Sequence, residues 1–205
     1  MWVNEGARAS QAETVHSQSR MLFRFWETMR GERSAPYRHD LDLKQARKLM
    51  PHLFIAEQQA DGSGFRWRLA GTAIGGLFRR EVTGADMLAG WDDAEAQMIR
   101  RFLCGVTATH QPALLRMRFT TDREQAIEAE MAAFPLLASD GASTQVFGGL
   151  FTFPGADLKD YAQITLSELT SARFALNEVM AALTEEPQTQ GARRFRVISG
   201  GLDQL

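Results

Sequence analysis

Catalysis, metal binding and cofactor chemistry each need particular side chains brought together, and this chain offers few of them at informative spacing. Its four histidines, His16, His39, His52 and His110, stand far apart, and no H-x-x-x-H or C-x-x-C pair begins a zinc site. The single cysteine, Cys104, cannot close an internal disulfide; within RFLCG it reads as a small buried apolar residue on a helix. AGTAIGG, from Ala70 to Gly76, follows a strand pattern and opens a helical one, where a phosphate-cradling loop would sit. Its glycines, Gly71, Gly75 and Gly76, match neither G-x-G-x-x-G nor the lysine-containing P-loop, so they read as turn and packing glycines. There is no G-x-S-x-G elbow, and the acidic pair Asp92 and Asp93 stands at a helix start, where capping accounts for it. No catalytic residue and no metal ligand is assigned, and the chain reads as a non-enzyme.

What remains is binding, and that depends on the elements that enclose an interior. From Ser19 onward, Leu22, Phe25, Trp26 and Met29 follow the i, i+3, i+4, i+7 spacing of an amphipathic helix that Gly31 ends. That stripe either lies on its own domain or pairs with the same helix of a second copy, and the sequence leaves both open. Asp42 is placed to cap a helix bearing Ala46 and Leu49, which stops before Pro51. HLFIAEQ and FRWRL are the first two strands; in the second, Phe65, Trp67 and Leu69 alternate with Arg66 and Arg68. Thr72 is placed to cap a short helix with Ile74, Leu77 and Phe78, and a longer one follows Asp92 or Asp93 with Ile99, Phe102, Leu103 and Val106.

The period then returns to two. Leu115, Met117, Ile127 and Met131 share one face of a hairpin, and a turn near Arg123 puts Arg118 opposite Glu128 and Arg116 opposite Glu130, on a face expected to be exposed. TQVFGGLFTF is the fifth strand, closed by Pro154. The fold expected is α+β: a five-stranded antiparallel sheet with short helices on one face and flanking helices at both ends. Trp67, Phe78, Trp91, Phe102, Met117, Met131 and Phe147 or Phe151 are the candidates to line a pocket under the helices, with solid core as the competing reading. Gly148 and Gly149 remove side chains where a ligand or another backbone would come close. The opposite face, with Arg66, Arg68, Arg116 and Arg118, reads as solvated or partner-facing.

RLAGTAI followed by the VTG corner, with Trp26, Pro36, Arg38 and Pro51 before it and PLLASDG after it, resembles the small PAS-domain family of alphaproteobacteria once catalogued as a domain of unknown function. The resemblance spans Gln18 to Pro154, and one departure is that the family's pattern often has Gly where this chain has Arg79. It implies a module that senses a ligand or contacts another protein, without catalytic activity of its own. Some PAS domains take a haem ligand from the region of His110, but a histidine at a helix end more often serves the helix dipole. Flavin photosensors of this class place Asn before the reactive cysteine and Arg-Phe-Leu-Gln after it, whereas Arg101, Phe102 and Leu103 precede Cys104 here. Haem, flavin and metal are therefore not supported, and the cofactor is unknown.

With 205 residues, 44% of them hydrophobic and 23% charged, one full domain with extensions is expected. Residues 1–18 read as a flexible arm, 19–155 as the PAS-like domain, 156–186 as a C-terminal helical extension and 187–205 as a flexible tail. A net charge of -2 offers no general attraction to nucleic acid or to an anionic membrane. No apolar run approaches the roughly 20 residues that span a bilayer, and the chain reads as cytoplasmic. The expected partners are a small-molecule ligand, another signalling protein, or both, with a homodimer expected. A structural adaptor with a filled core is the alternative, and a small enzyme on a cone-shaped α+β fold the remote one.

Overall fold

Alternating apolar side chains set the five expected strands, and the free edge they leave is completed by a sixth. The computed structural model describes residues 15–154 and 163–174. Its strands are β1 (Leu53–Gln58), β2 (Phe65–Ala70), β3 (Ala113–Thr121), β4 (Ala126–Leu136), β5 (Gln145–Thr152) and β6 (Ile164–Phe174). They form one antiparallel sheet in the order β2-β1-β5-β4-β3-β6. The hairpin register is the expected one, with Arg118 opposite Glu128 and Arg116 opposite Glu130.

β6 corrects the helix expected across this stretch. Ile164, Leu169 and Ala172 are spaced too widely for strict alternation, which imitates a helical stripe. Register shifts against β3 at Arg116/Met117 and at Thr120/Thr121 explain the spacing: Leu169 lies opposite Met117, but Ala172, three residues on, lies opposite Leu115. Bulges thus keep apolar residues on one face despite an irregular count. The rest of the expected C-terminal extension and the tail, and residues 1–14 of the arm, lie outside the described residues.

Helices cover both faces of the sheet. The first, α1 (Ser17–Arg30), packs on β4 and β5 and ends at Gly31, whose φ of 57° needs no Cβ. The second, α2 (Thr72–Phe78), and the third, α3 (Asp93–Thr109), lie on the other face. Gly71, not Thr72, is the N-cap of α2; a Cβ there would stand 2.3 Å from the Pro51 carbonyl oxygen, so close backbone packing dictates this glycine. Asp92 caps α3, its Oδ1 accepting the Ala94 N–H at 2.9 Å. In place of a helix after Asp42 the chain makes successive tight turns, with Ala46 N–H bonded to the Leu43 carbonyl and Leu49 N–H to that of Ala46. Two 3-10 turns, Arg38–Asp40 and Met50–His52, complete the elements.

Candidate functional site

Two apolar clusters divide at the sheet. Under α3, Trp67, Met87, Ile99, Met117, Phe119 and Met131 are buried together. On the α1 side, Leu22, Phe23, Trp26, Phe134, Phe147 and Phe151 form the second cluster. Successive residues of a strand point to opposite faces, so one strand serves both: in β4, Met131 belongs to the first cluster and Ala132 and Phe134 to the second.

The first cluster holds a small void of about 10 Å³, roughly one water-sized probe, in an apolar lining. Trp67, Phe78, Trp91, Met117 and Met131 of the expected pocket line it, joined by Met87, Leu88, Ile99, Phe119 and Leu150. Phe102 does not; its ring packs on Phe174 of β6, with centroids 4.8 Å apart. Phe147 and Phe151 are corrected to the α1 side of the sheet. The space at Gly148 and Gly149 is also occupied from within the chain: a Cβ on the first would meet the Phe54 ring at 2.4 Å, and one on the second the Phe151 ring at 2.4 Å.

Phe78 and Trp91 are half-buried and close the void toward the surface. Each makes an edge-on contact with Phe119, at 5.8 and 6.0 Å between centroids. The same two side chains also line an outer cleft of about 300 Å³, with Arg80, Ala89, Gly90, Gln163, Ile164, Thr165 and Ser167 around it. Both closing residues adjoin left-handed backbone, at Arg79 (φ 51°) and Gly90 (φ 91°). Arg79 stands where the family pattern often has glycine, and it adopts the conformation glycine would take at lower strain. The cleft joins segments more than 70 residues apart, so no local pattern announces it.

The α1 side carries a buried charge that the sequence reading placed in solvent. Glu130 is fully buried; its Oε2 accepts from Arg116 Nε at 2.7 Å and its Oε1 from the His16 backbone N–H at 3.0 Å. The Arg116 guanidinium lies 4.2 Å from the Phe153 ring centroid. The His16 ring stacks on Phe151 at 5.5 Å and meets Phe153 edge-on at 4.8 Å. Its Nδ1 accepts the Gln18 N–H at 3.2 Å and so caps α1. Burial pushes the imidazole below its ordinary value; Glu130 and a hydrogen bond to the Thr152 backbone oppose that without reversing it. Burial also lowers His52, whose ring bonds the Leu150 carbonyl. A signal for this burial existed: along β4 the face of Glu128 and Glu130 continues into Ala132, Phe134 and Leu136, turning from polar to apolar.

Of the expected interface stripe, Leu22 and Trp26 are buried on the chain's own sheet, and the Trp26 indole N–H donates to the Pro135 carbonyl at 3.0 Å. Phe25 and Met29 remain half-exposed. Arg66 and Arg68 line a broad surface groove of about 710 Å³ at the β2 edge. Both are already engaged there, Arg66 with Gln59 and Arg68 with Glu57. Burial raises the Cys104 thiol above its ordinary value, as suits an inert structural cysteine. Among the described residues no cluster of His, Cys, Asp and Glu could hold a metal, and no helix is long and apolar enough to cross a membrane.

Comparison with known proteins gives no match among curated proteins. Solved structures of similar shape include the PAS domain of BvgS from Bordetella pertussis, at 20% identity and a TM-score of 0.40, covering 54% of this chain and 85% of that one. A LOV protein of Rhodobacter sphaeroides matches at 12% identity and a TM-score of 0.41, covering 57% and 70%. An RNA-binding light-oxygen-voltage receptor matches at 16% and 0.40, with 55% of this chain spanning about a third (32%) of that one. The sequence profile of the PAS domain matches residues 14–151, which takes in α1, the α2 corner, α3, the first four strands and all but the last residue of β5. With well over half its length so matched, and the helix-flanked antiparallel sheet in place, the chain belongs to the PAS domain family.

Proposed function

We propose that this PAS sensory module reads a small apolar ligand in the void under α3 and reports it through α1 by contact with another protein. The single observation that carries the reading is that Met117 and Met131 line the void from β3 and β4, while Phe134 of β4 holds α1 on the other face. Methionine's unbranched side chain yields to an incoming ligand more readily than a branched one. Displacing Met131 shifts β4, and β4 carries Phe134 and the Pro135 carbonyl that bonds Trp26. The change in ligand occupancy thereby alters how α1 sits.

Output passes at the outer edge of α1. Met21 is exposed there, and Phe25 helps line a groove of about 320 Å³ with Lys44, Arg47 and Lys48. A signalling protein or a second copy of the chain contacts that edge, in the cytoplasm. The small size of the void favours a second reading, an adaptor with a filled core that works by contact alone.

Benzene, a compact apolar probe, separates the two. Titrated into protein with labelled methionine methyls, it is expected to shift the Met117 and Met131 signals and to change amide hydrogen exchange from Leu22 to Met29. Moving methyls with unchanged exchange in α1 would sink the coupling. Unmoved methyls at saturating benzene would leave the adaptor.

A further inference from the structure

Resting on the reading that the interior takes a ligand, we propose that the void and the outer cleft are two halves of one site for a small amphipathic monocarboxylic acid, its tail under Met117 and Met131 and its carboxylate on Arg80. The two halves share Phe78 and Trp91, so turning these two rings outward joins them. Each ring has a backbone neighbour in left-handed conformation, Arg79 and Gly90, where a small change in φ and ψ swings the adjacent side chain.

The chemistry changes along the path. The inner lining is carbon and sulfur apart from indole nitrogens, while the cleft adds Arg80, Gln163, Thr165 and Ser167. Among the described residues no acidic side chain lines the cleft to repel an anion. Ser167 is buried at the junction, opposite Phe119. Arg80 differs from the arginines of the sheet. Arg66, Arg68, Arg116 and Arg118 each engage an acid or amide of their own, whereas the Arg80 side chain makes no hydrogen bond or ion pair among the described residues. A guanidinium that engages none of the described residues, at the rim of an apolar channel, suits one carboxylate, which it grips through two parallel N–H donors. A phosphate would need a second cation, and the described lining residues offer none.

Octanoate and its uncharged counterpart octanamide, titrated at pH 7.5 into the full chain, test this by calorimetry and by the methionine methyl spectrum. Octanoate is expected to bind at least tenfold more tightly. Arg80→Gln, a change at an exposed side chain, should reduce octanoate to the level of octanamide and leave octanamide unchanged. Lengthening the acid from six to eight carbons should tighten binding about fourfold per methylene. Equal binding of the two probes, or an unaltered Arg80→Gln variant, overturns the carboxylate assignment while the moving methyls preserve the ligand reading. If neither probe moves the Met117 or Met131 methyl, the site and the ligand reading fall together.

Discussion

The two faces of the sheet share strands but are built differently. Under α3, three methionines, Met87, Met117 and Met131, surround a void that two half-buried rings close. Under α1, Phe23, Trp26, Phe134 and Phe147 stack in a chain of ring contacts between 5.5 and 6.5 Å, and Glu130 is fixed by two hydrogen bonds. One face is made of side chains that yield, the other of rings and charges that hold one geometry. Under the proposed function, a sheet so constructed converts loose repacking on one side into a defined displacement on the other. In the proposed function the rigid face is the one through which α1 is read out.

That contrast is most sharply tested by truncation. Phe134→Ala should lower unfolding free energy by about 3–5 kcal/mol, because three neighbouring rings lose a partner. Arg116→Met should cost about as much, since it leaves the Glu130 carboxylate buried with its Nε partner gone. On the yielding face, Met117→Leu should cost less than about 1.5 kcal/mol. Urea unfolding midpoints of the three variants check the order, and equal losses at Phe134 and Met117 would erase the distinction between the faces.

Gly149→Ala gives a smaller effect of about 1–3 kcal/mol by overpacking. The added methyl meets Leu22 Cδ2 at 2.9 Å and the Phe151 ring at 2.4 Å, so α1 must move outward. Faster amide exchange in α1 with unchanged exchange in α3 is the expected pattern. Equal acceleration in both helices would mean that the faces are not mechanically distinct.

Acid should loosen the rigid face first. His16 and His52 have folded-state values below the ordinary 6.5, both chiefly through burial, so folding favours their neutral forms. Their contribution is complete above pH 6.5 and is lost as pH falls through the lowered values. At His16 the added proton goes to Nδ1 and removes the acceptor of the Gln18 N–H. Around it among the described residues stand Glu130, which favours protonation, and Arg116 and His52, which favour the neutral ring. His16→Asn keeps a capping oxygen but does not titrate, so its stability should fall less than that of wild type between pH 6.5 and 5. Parallel losses would remove His16 from the effect. His16→Ala at pH 8 should cost roughly 1 kcal/mol, the usual worth of an N-cap.

Much of the sheet was legible in the sequence because alternation is local. Phe65 and Trp67, or Met117 and Phe119, declare a face within a few residues, and the Arg116–Glu130 and Arg118–Glu128 pairs set the register. β6 was not legible because its bulges break the count that alternation needs. At the site, five expected lining residues meet around the void, while Phe147 and Phe151 were placed on the wrong side of β5. Both are odd-numbered, so alternation groups them with each other and with Gly149. It cannot say which of two apolar faces the helices of a given cluster cover. Arg80, Gln163 and Ser167 were invisible as a group, since only the folding of β6 beside β3 brings Gln163 and Ser167 near Phe78, Arg80 and Trp91.

The smallest expected effect lies two residues along the same strand pair. Arg118 and Glu128 repeat the Arg116–Glu130 chemistry, with Nε to Oε1 at 2.6 Å, but their side chains are 36% and 38% exposed. Water already solvates both charges, so pairing them adds little beyond what each gains alone. The Arg118 guanidinium is raised above its ordinary value chiefly by its hydrogen bond to Glu128, which records the contact without making it strong. A double-mutant cycle with Arg118→Gln and Glu128→Gln should give a coupling of about 0.2–1 kcal/mol that shrinks between 0.05 and 0.5 M salt, roughly the range over which screening closes in. A coupling above about 2 kcal/mol, insensitive to salt, would mean that this end of the face is covered as the Glu130 end is, and that protection there extends past His16 and Phe153.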